Sequence, residues 1–410
     1  MNRFGKHLLL TLAAAVLFSC GAPAPESSQP QPVELKLTQE LARQGIAWAD
    51  ASLRKTLEMC GENFPIATED GVWELGHDGW TGGYFTGMLW MMYQHTGDEF
   101  WKEQAIKYTW LLEDHKNDAN NSDICILSWP SLDLGHKLTG DPAMREVGLT
   151  AARTMMKRYL PDGGYFQNWG SLGDQDQLGF VIIDCLINLD HMFWAAQQTG
   201  DNSFAEAAKS HAHRSRVAHV RSDFSSHQVV EFNPSNGQMI RGFHKQGLGD
   251  ETTWSRGQAW GVYGFTRAYR NTIDPEFLET AKKMSDWFVA HLPDDQVPFW
   301  DFDLPPGSDH PRDSSAGSMA ASGMLELASL LDNPSEAERY RAAAGKILAS
   351  LTTNYLTKNL PGAPHGVLTG STYYFEVGRS IDQANIWGDF YYLEALLRWL
   401  EPGFWLEGEN

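Results

Sequence analysis

Apolar and polar positions along this chain fall into blocks of helical length. Six segments, at 81–95, 126–138, 178–197, 255–271, 315–331 and 384–400, are apolar nearly all round and rich in Gly, Ala and aromatic residues. Six others, at 35–60, 99–115, 142–159, 202–219, 275–292 and 335–354, carry Lys, Arg and Glu along one face. The first kind predicts buried helices and the second half-exposed amphipathic ones. A turn recurs between them at Thr96-Gly97-Asp98, Thr139-Gly140-Asp141 and Thr199-Gly200-Asp201, with looser versions at Thr272-Ile273-Asp274 and Leu331-Asp332-Asn333. Its Gly suits the left-handed residue that closes one helix, and its Asp suits the cap of the next. One helix pair used six times, with the buried members inside, predicts an all-α (α/α)6 barrel of six inner and six outer helices. Irregular Gly/Pro-rich connections enter several inner helices, which argues against an open solenoid and places a site at one crowded rim. In that rim His227 to Phe232 and Gly237 to Ile240 alternate around Asn233-Pro234-Ser235-Asn236-Gly237. This predicts a small β-hairpin that hangs His227 and Gln246 over the site.

The amino terminus is of another kind. Arg3 and Lys6 precede an apolar stretch from Leu8 to Phe18, and Leu17-Phe18-Ser19 leads into Cys20. Residues 1–19 read as an export signal, too short to span a bilayer, with Cys20 as a lipobox cysteine and 20–33 as a flexible tether. The expectation is an exported chain, lipid-anchored and facing the periplasm, with 34–410 as one catalytic domain. Cys60, Cys125 and Cys185 are then left, an odd number without metal-ligand spacing, so neither a disulfide framework, a metal nor another cofactor is implied. The formal charge is −20, and −22 once Arg3 and Lys6 leave with the signal. Nucleic acid and anionic membrane surfaces are excluded as partners, the lipid anchor apart, and small substrates are favoured over long polyanions.

Tryptophan is unusually frequent, with 16 in 410 residues. Trp80, Trp129, Trp169, Trp254, Trp260 and Trp387 fall at predicted helix starts or in rim connections, where flat aromatic faces suit the C–H faces of a sugar. Two carboxyls stand in apolar surroundings. Asp184 lies in Gly179-Phe180-Val181-Ile182-Ile183-Asp184-Cys185-Leu186, where burial would keep it protonated, and Asp123 precedes Ile124-Cys125-Ile126-Leu127. Such a pair can divide into an acid and an anion, as acid/base chemistry on a sugar requires. Arg256, in Thr252-Thr253-Trp254-Ser255-Arg256-Gly257-Gln258-Ala259-Trp260, heads an apolar helix and needs an anion there. Either a substrate carboxylate or an internal Asp would serve.

Taken together, the chain resembles the unsaturated glucuronyl hydrolases, glycoside hydrolase family 88. The resemblance runs from Trp80-Thr81-Gly82-Gly83-Tyr84-Phe85-Thr86-Gly87 to Ile386-Trp387-Gly388-Asp389-Phe390-Tyr391, and is most specific at Gly179 to Asn188 and Trp254 to Trp260. It implies an (α/α)6 barrel that hydrates the C4=C5 bond of a terminal unsaturated uronate in small lyase-generated oligosaccharides. By the same resemblance Asp184 is the general acid/base and Asp123 the second essential aspartate. His227, Gln246, Trp254, Arg256 and Trp260 match substrate-contacting positions, and Trp80 and Trp169 are stacking platforms. The chain departs from the family at Ser122-Asp123-Ile124-Cys125 and at Lys245, where relatives often carry His. The added charge of Lys245 implies a more anionic or differently decorated substrate. The alternatives are an unsaturated rhamnogalacturonyl hydrolase acting on pectin fragments and a non-catalytic glycan-binding lipoprotein.

Overall fold

A computed structural model describes residues 35–77, 80–305 and 309–404. The signal, Cys20 and the whole of the 20–33 tether lie outside the described residues. The described residues form one compact unit.

Helix α1 (Gln39–Cys60) opens the barrel, with the Thr38 hydroxyl accepting from the Leu41 amide. A hairpin absent from the sequence reading follows, β1 (Phe64–Glu69) against β2 (Val72–Gly76). Helices α2 (Gly82–Thr96) and α3 (Glu99–Leu111) make the next inner and outer pair. The second inner helix is continuous from α4 (Ile124–Ser128) through a widened π turn at Trp129–Asp133 to α5 (Leu134–Thr139). Pro130 sits in that turn, where its missing N–H and its ring disfavour regular α spacing. Helix α6 (Pro142–Met156) is its outer partner.

The third inner segment differs from the continuous helix expected over 178–197. After two short strands, β3 (Tyr159–Leu160) and β4 (Tyr165–Phe166), it begins as β5 (Phe180–Ile182), tightens into a 3-10 turn over Ile183–Asn188, and becomes α7 only at Leu189–Thr199. An unbroken apolar run cannot by itself distinguish strand from buried helix. Here pairing decides. After α8 (Asn202–His219), the hairpin β6 (Val229–Phe232) and β7 (Met239–Phe243) places β6 alongside β5, with Val181 opposite Val230. Gly179 permits the approach, since a Cβ there would run into the Phe232 carbonyl. The predicted hairpin is therefore the outer part of a three-stranded sheet, and Asp184 sits just past the junction of strand and 3-10 turn.

The last elements are α9 (Ser255–Thr272), α10 (Pro275–Ala290), α11 (Ser314–Ser329), α12 (Pro334–Asn354) and α13 (Ile386–Leu400). Each inner segment packs on the next and α13 returns to α2, closing the ring. The recurrent turns work as their chemistry requires. Gly97, Gly140 and Gly200 have φ of 68°, 72° and 73°, and Asp98, Asp141 and Asp201 accept from Phe100, Ala143 and Ser203. Close inner packing also depends on small residues: a Cβ on Gly83 would strike the Ile126 carbonyl.

Candidate active site

A cavity of about 380 Å³ opens at the end of the barrel where the inner segments begin. Of the nine residues singled out by sequence, eight line it: Asp123, Asp184, Trp80, Trp169, Gln246, Trp254, Arg256 and Trp260. The two aspartates enter from neighbouring inner segments. Asp123 stands at the start of α4 but does not cap it with its side chain, so the carboxyl is left to the cavity. Asn188 ties the two segments together: its Oδ1 accepts from the Ile126 amide at 3.1 Å, and its amide holds the Asp123 carboxylate. Arg158, buried beneath, donates to the carbonyls of Ala119, Gln167 and Gly170 at 2.8, 2.8 and 3.0 Å. It thereby fastens the loops that carry Asp123 and Trp169.

Both carboxyls are harder to ionise than usual. Burial, and then the negative charge of Asp123, push Asp184 up to about 7, against smaller opposition from its own and the Cys185 backbone amides and from Arg256. Burial lifts Asp123 to about 6, against Asn188 and Arg158. Asp184 is half-buried overall because one side meets the cavity. Its Oδ1 is fully buried and, among the described residues, has no hydrogen-bond partner. A carboxyl with an unpaired oxygen at a cavity floor is poised to hold or release a proton.

Arg256 resolves the alternatives left open by sequence. Its Nη1 lies 2.5 Å from Asp313 Oδ2 and donates to the Thr372 carbonyl at 2.7 Å, while Nη2 donates to the Tyr373 carbonyl at 2.7 Å. The guanidinium also stacks on Trp254, 4.4 Å from the ring centroid. The anion that meets it is internal, and Asp313 in turn caps α11.

His227 is the residue the structure does not bring to the cavity; its neighbour Gln228 lines it instead. Successive side chains at the edge of a strand face opposite ways, so a one-residue shift exchanges them. His227 packs under Gly242 and accepts at Nδ1 from Arg221 at 3.1 Å, and burial, then Arg221, lowers its pKa. Gln228 organises the rim. Its Oε1 accepts from the Lys245 and Gln246 amides at 2.7 and 2.8 Å, and its Nε2 donates to Gln246 Oε1 at 2.9 Å.

The aromatic cup is smaller than expected. Trp387 is fully buried behind Trp80, with ring centroids 5.0 Å apart, and donates to Ser315 Oγ. Trp129 lies by a separate small cavity of about 50 Å³, with Asp190 and Arg267. Tyr373, Tyr374 and Arg379, none of them a candidate from the sequence, also line the main cavity. They sit in an irregular connection whose pattern carries no periodic signal. The one His/carboxylate group among the described residues that could meet a cation, His213 with Asp274 and Glu276, faces Lys209 and Arg216 instead. Cys60, Cys125 and Cys185 are free and buried.

The family model described as Glycosyl Hydrolase Family 88 matches residues 48–377. The chain belongs to this family. As a family 88 glycosidase it is 38% identical over 374 residues to the unsaturated glucuronyl hydrolase of Bacillus sp. (strain GL1), covering 89% of this chain and 99% of that one. The crystal structure of that Bacillus enzyme has a TM-score of 0.85 to it, covering 88% of this chain and 97% of the other. It is 37% identical to the unsaturated chondroitin disaccharide hydrolase of Streptococcus pyogenes serotype M1, over 88% of this chain and 92% of the relative. An Asp-to-Asn variant of the Streptococcus agalactiae unsaturated glucuronyl hydrolase, complexed with dGlcA-GalNAc6S, has a TM-score of 0.78 at 31% identity, covering 90% and 93% of the two chains.

Proposed function

We propose that this family 88 enzyme releases the terminal 4,5-unsaturated glucuronyl residue from lyase-generated, glycosaminoglycan-type oligosaccharides by hydrating the C4=C5 vinyl ether. The observation that carries the reading is the buried, unpaired Oδ1 of Asp184 beside Asp123 at the floor of a tryptophan-lined cavity. Asp184 gives its proton to C4, and water adds to C5 as Asp184 takes a proton back from it. The C5 hemiketal then collapses and frees the neighbouring sugar, leaving Asp184 protonated as at the start. Asp123, whose carboxyl loses its proton more readily than that of Asp184, serves as the anion that orients water and substrate.

The names of the relatives support the choice of substrate, and the cavity's size suits a short chain end. Arg256, occupied by Asp313, acts by holding Trp254 and the Tyr373 carbonyl in place. Lys245, with Nζ 5.5 Å from the Trp169 ring centroid, is the cation that favours an acidic substituent on the substrate. A panel of unsaturated disaccharides from glycosaminoglycan and pectin lyases, followed by loss of double-bond absorbance, tests the proposal. Turnover of the glycosaminoglycan members is expected. Turnover of the pectin-derived member alone would transfer the assignment to rhamnogalacturonyl hydrolysis, and a flat trace throughout would reject both.

A further inference from the structure

Two separate stretches of chain build the mouth of the cavity. One follows β7 and carries Lys245 and Gln246; the other, at 371–383, carries Tyr373, Tyr374 and Arg379. Inside the mouth they touch through Gln246, whose Nε2 donates to the Tyr373 carbonyl at 3.0 Å. Farther out a second link spans the same two stretches. His244 has Nδ1 at 2.9 Å from Asp250 Oδ1 and Nε2 at 3.2 Å from Glu376 Oε1. Asp250 Oδ1 also accepts the His244 main-chain amide at 3.1 Å, which folds the 244–250 loop back on the ring.

Each ring nitrogen thus faces a carboxylate oxygen, one from each of the two stretches. Glu376 lies in the short 3-10 turn Phe375–Val377, between Phe375, which stacks on Trp300 at 4.4 Å, and the exposed Val377. The turn is held at Phe375 by Trp300 and across its base by the Tyr374–Arg379 main-chain pair, and its outer side meets the 244–250 loop through Glu376. Asp250 is also approached by Arg241, and its carbonyl accepts from Arg221 at 3.1 Å, so the loop end of the link is firmly placed.

We propose that His244 is a positioning residue for this enzyme: by bridging Asp250 and Glu376 it clasps the two stretches that face the substrate and holds Gln246, Lys245 and Tyr373 in register. Like the proposed function, on which it rests, it concerns binding at the cavity mouth, but it assigns no step of the chemistry to His244. Ordering that would otherwise be imposed by the substrate is done in advance, so loss of the clasp weakens binding more than turnover.

The test compares wild type, His244→Ala, Glu376→Ala and the double variant on an unsaturated chondroitin disaccharide. The His244, Glu376 and Asp250 side chains are 24%, 45% and 60% exposed, so the variants keep the fold, which a thermal melt verifies. Each single variant is expected to raise KM by roughly three- to tenfold with kcat within about twofold, and the double variant to add little to either. An unchanged KM in His244→Ala, a fall in kcat at constant KM, or additive effects of the two substitutions would each overturn the clasp. No turnover by wild type of any glycosaminoglycan-derived member of the disaccharide panel would instead reject the proposed function.

Discussion

Replacing Asp184 by Asn keeps the size of the side chain and removes its proton, so it separates catalysis from stability at one position. Burial beside Asp123 moves the Asp184 carboxyl from an ordinary 3.8 to about 7. At about 1.4 kcal/mol per tenfold change, holding it ionised in the fold costs up to roughly 4 kcal/mol, less what cavity water recovers. The folded value is the higher one, so between about pH 4 and about pH 7 the folded state binds more proton than the unfolded chain. Stability therefore falls as pH rises through that window, and the loss is complete above it. Asparagine has no such loss. Asp184→Asn is expected to melt a few degrees above wild type at pH 8, with the gap closing as the pH falls toward 4. The same substitution removes the proton donor, a contribution of about 10² to 10⁴ in rate, or roughly 3–5 kcal/mol of barrier. The assays are differential scanning calorimetry at several pH values and the loss of double-bond absorbance from an unsaturated disaccharide. Turnover within tenfold of wild type would refute the proton-donor role. A melting temperature at pH 8 below that of wild type would refute the desolvation argument.

Three further outcomes follow from the site. The pH profile of kcat/KM should be a narrow bell, with an acid limb at about 6 where Asp123 gains its proton and an alkaline limb at about 7 where Asp184 loses its own, the two limbs belonging to the coupled pair; a flat profile from pH 5 to 8 would reject the division of roles. Lys245→His should lower the preference for sulfated over unsulfated unsaturated disaccharides, measured as the ratio of kcat/KM, and an unchanged ratio would remove Lys245 from specificity. Arg256→Ala leaves the fully buried Asp313 without its cation and should lower stability by about 3–5 kcal/mol in urea titration. Arg256→Lys should recover only part of this, because one ammonium cannot reach Asp313 and two carbonyls in the arrangement of the planar fork.

Much of the barrel was legible because its determinants are local. The apolar and amphipathic blocks report burial directly, and the Thr-Gly-Asp turns carry both a left-handed residue and a cap within three positions. Asp184 could be found for the same reason: the residues that desolvate it include its immediate neighbours, Ile183 and Cys185. Asp123 was legible as a carboxyl at a helix start, although its freedom from capping was not, since most Asp residues in that position are used as caps.

What the sequence by itself determined is which segments are buried, where helices stop and start, and which acids lie among apolar neighbours. The tertiary structure alone decided the rest. Residues 180–182 became a strand because β6, some fifty residues on, offered its edge, and an apolar run is compatible with either state. The same sheet fixed a one-residue phase that sends Gln228 into the cavity and His227 under Gly242. Arg256 met Asp313 from another inner helix, and Trp387 was covered by Trp80, because long-range packing chooses partners among side chains that local pattern treats as equivalent.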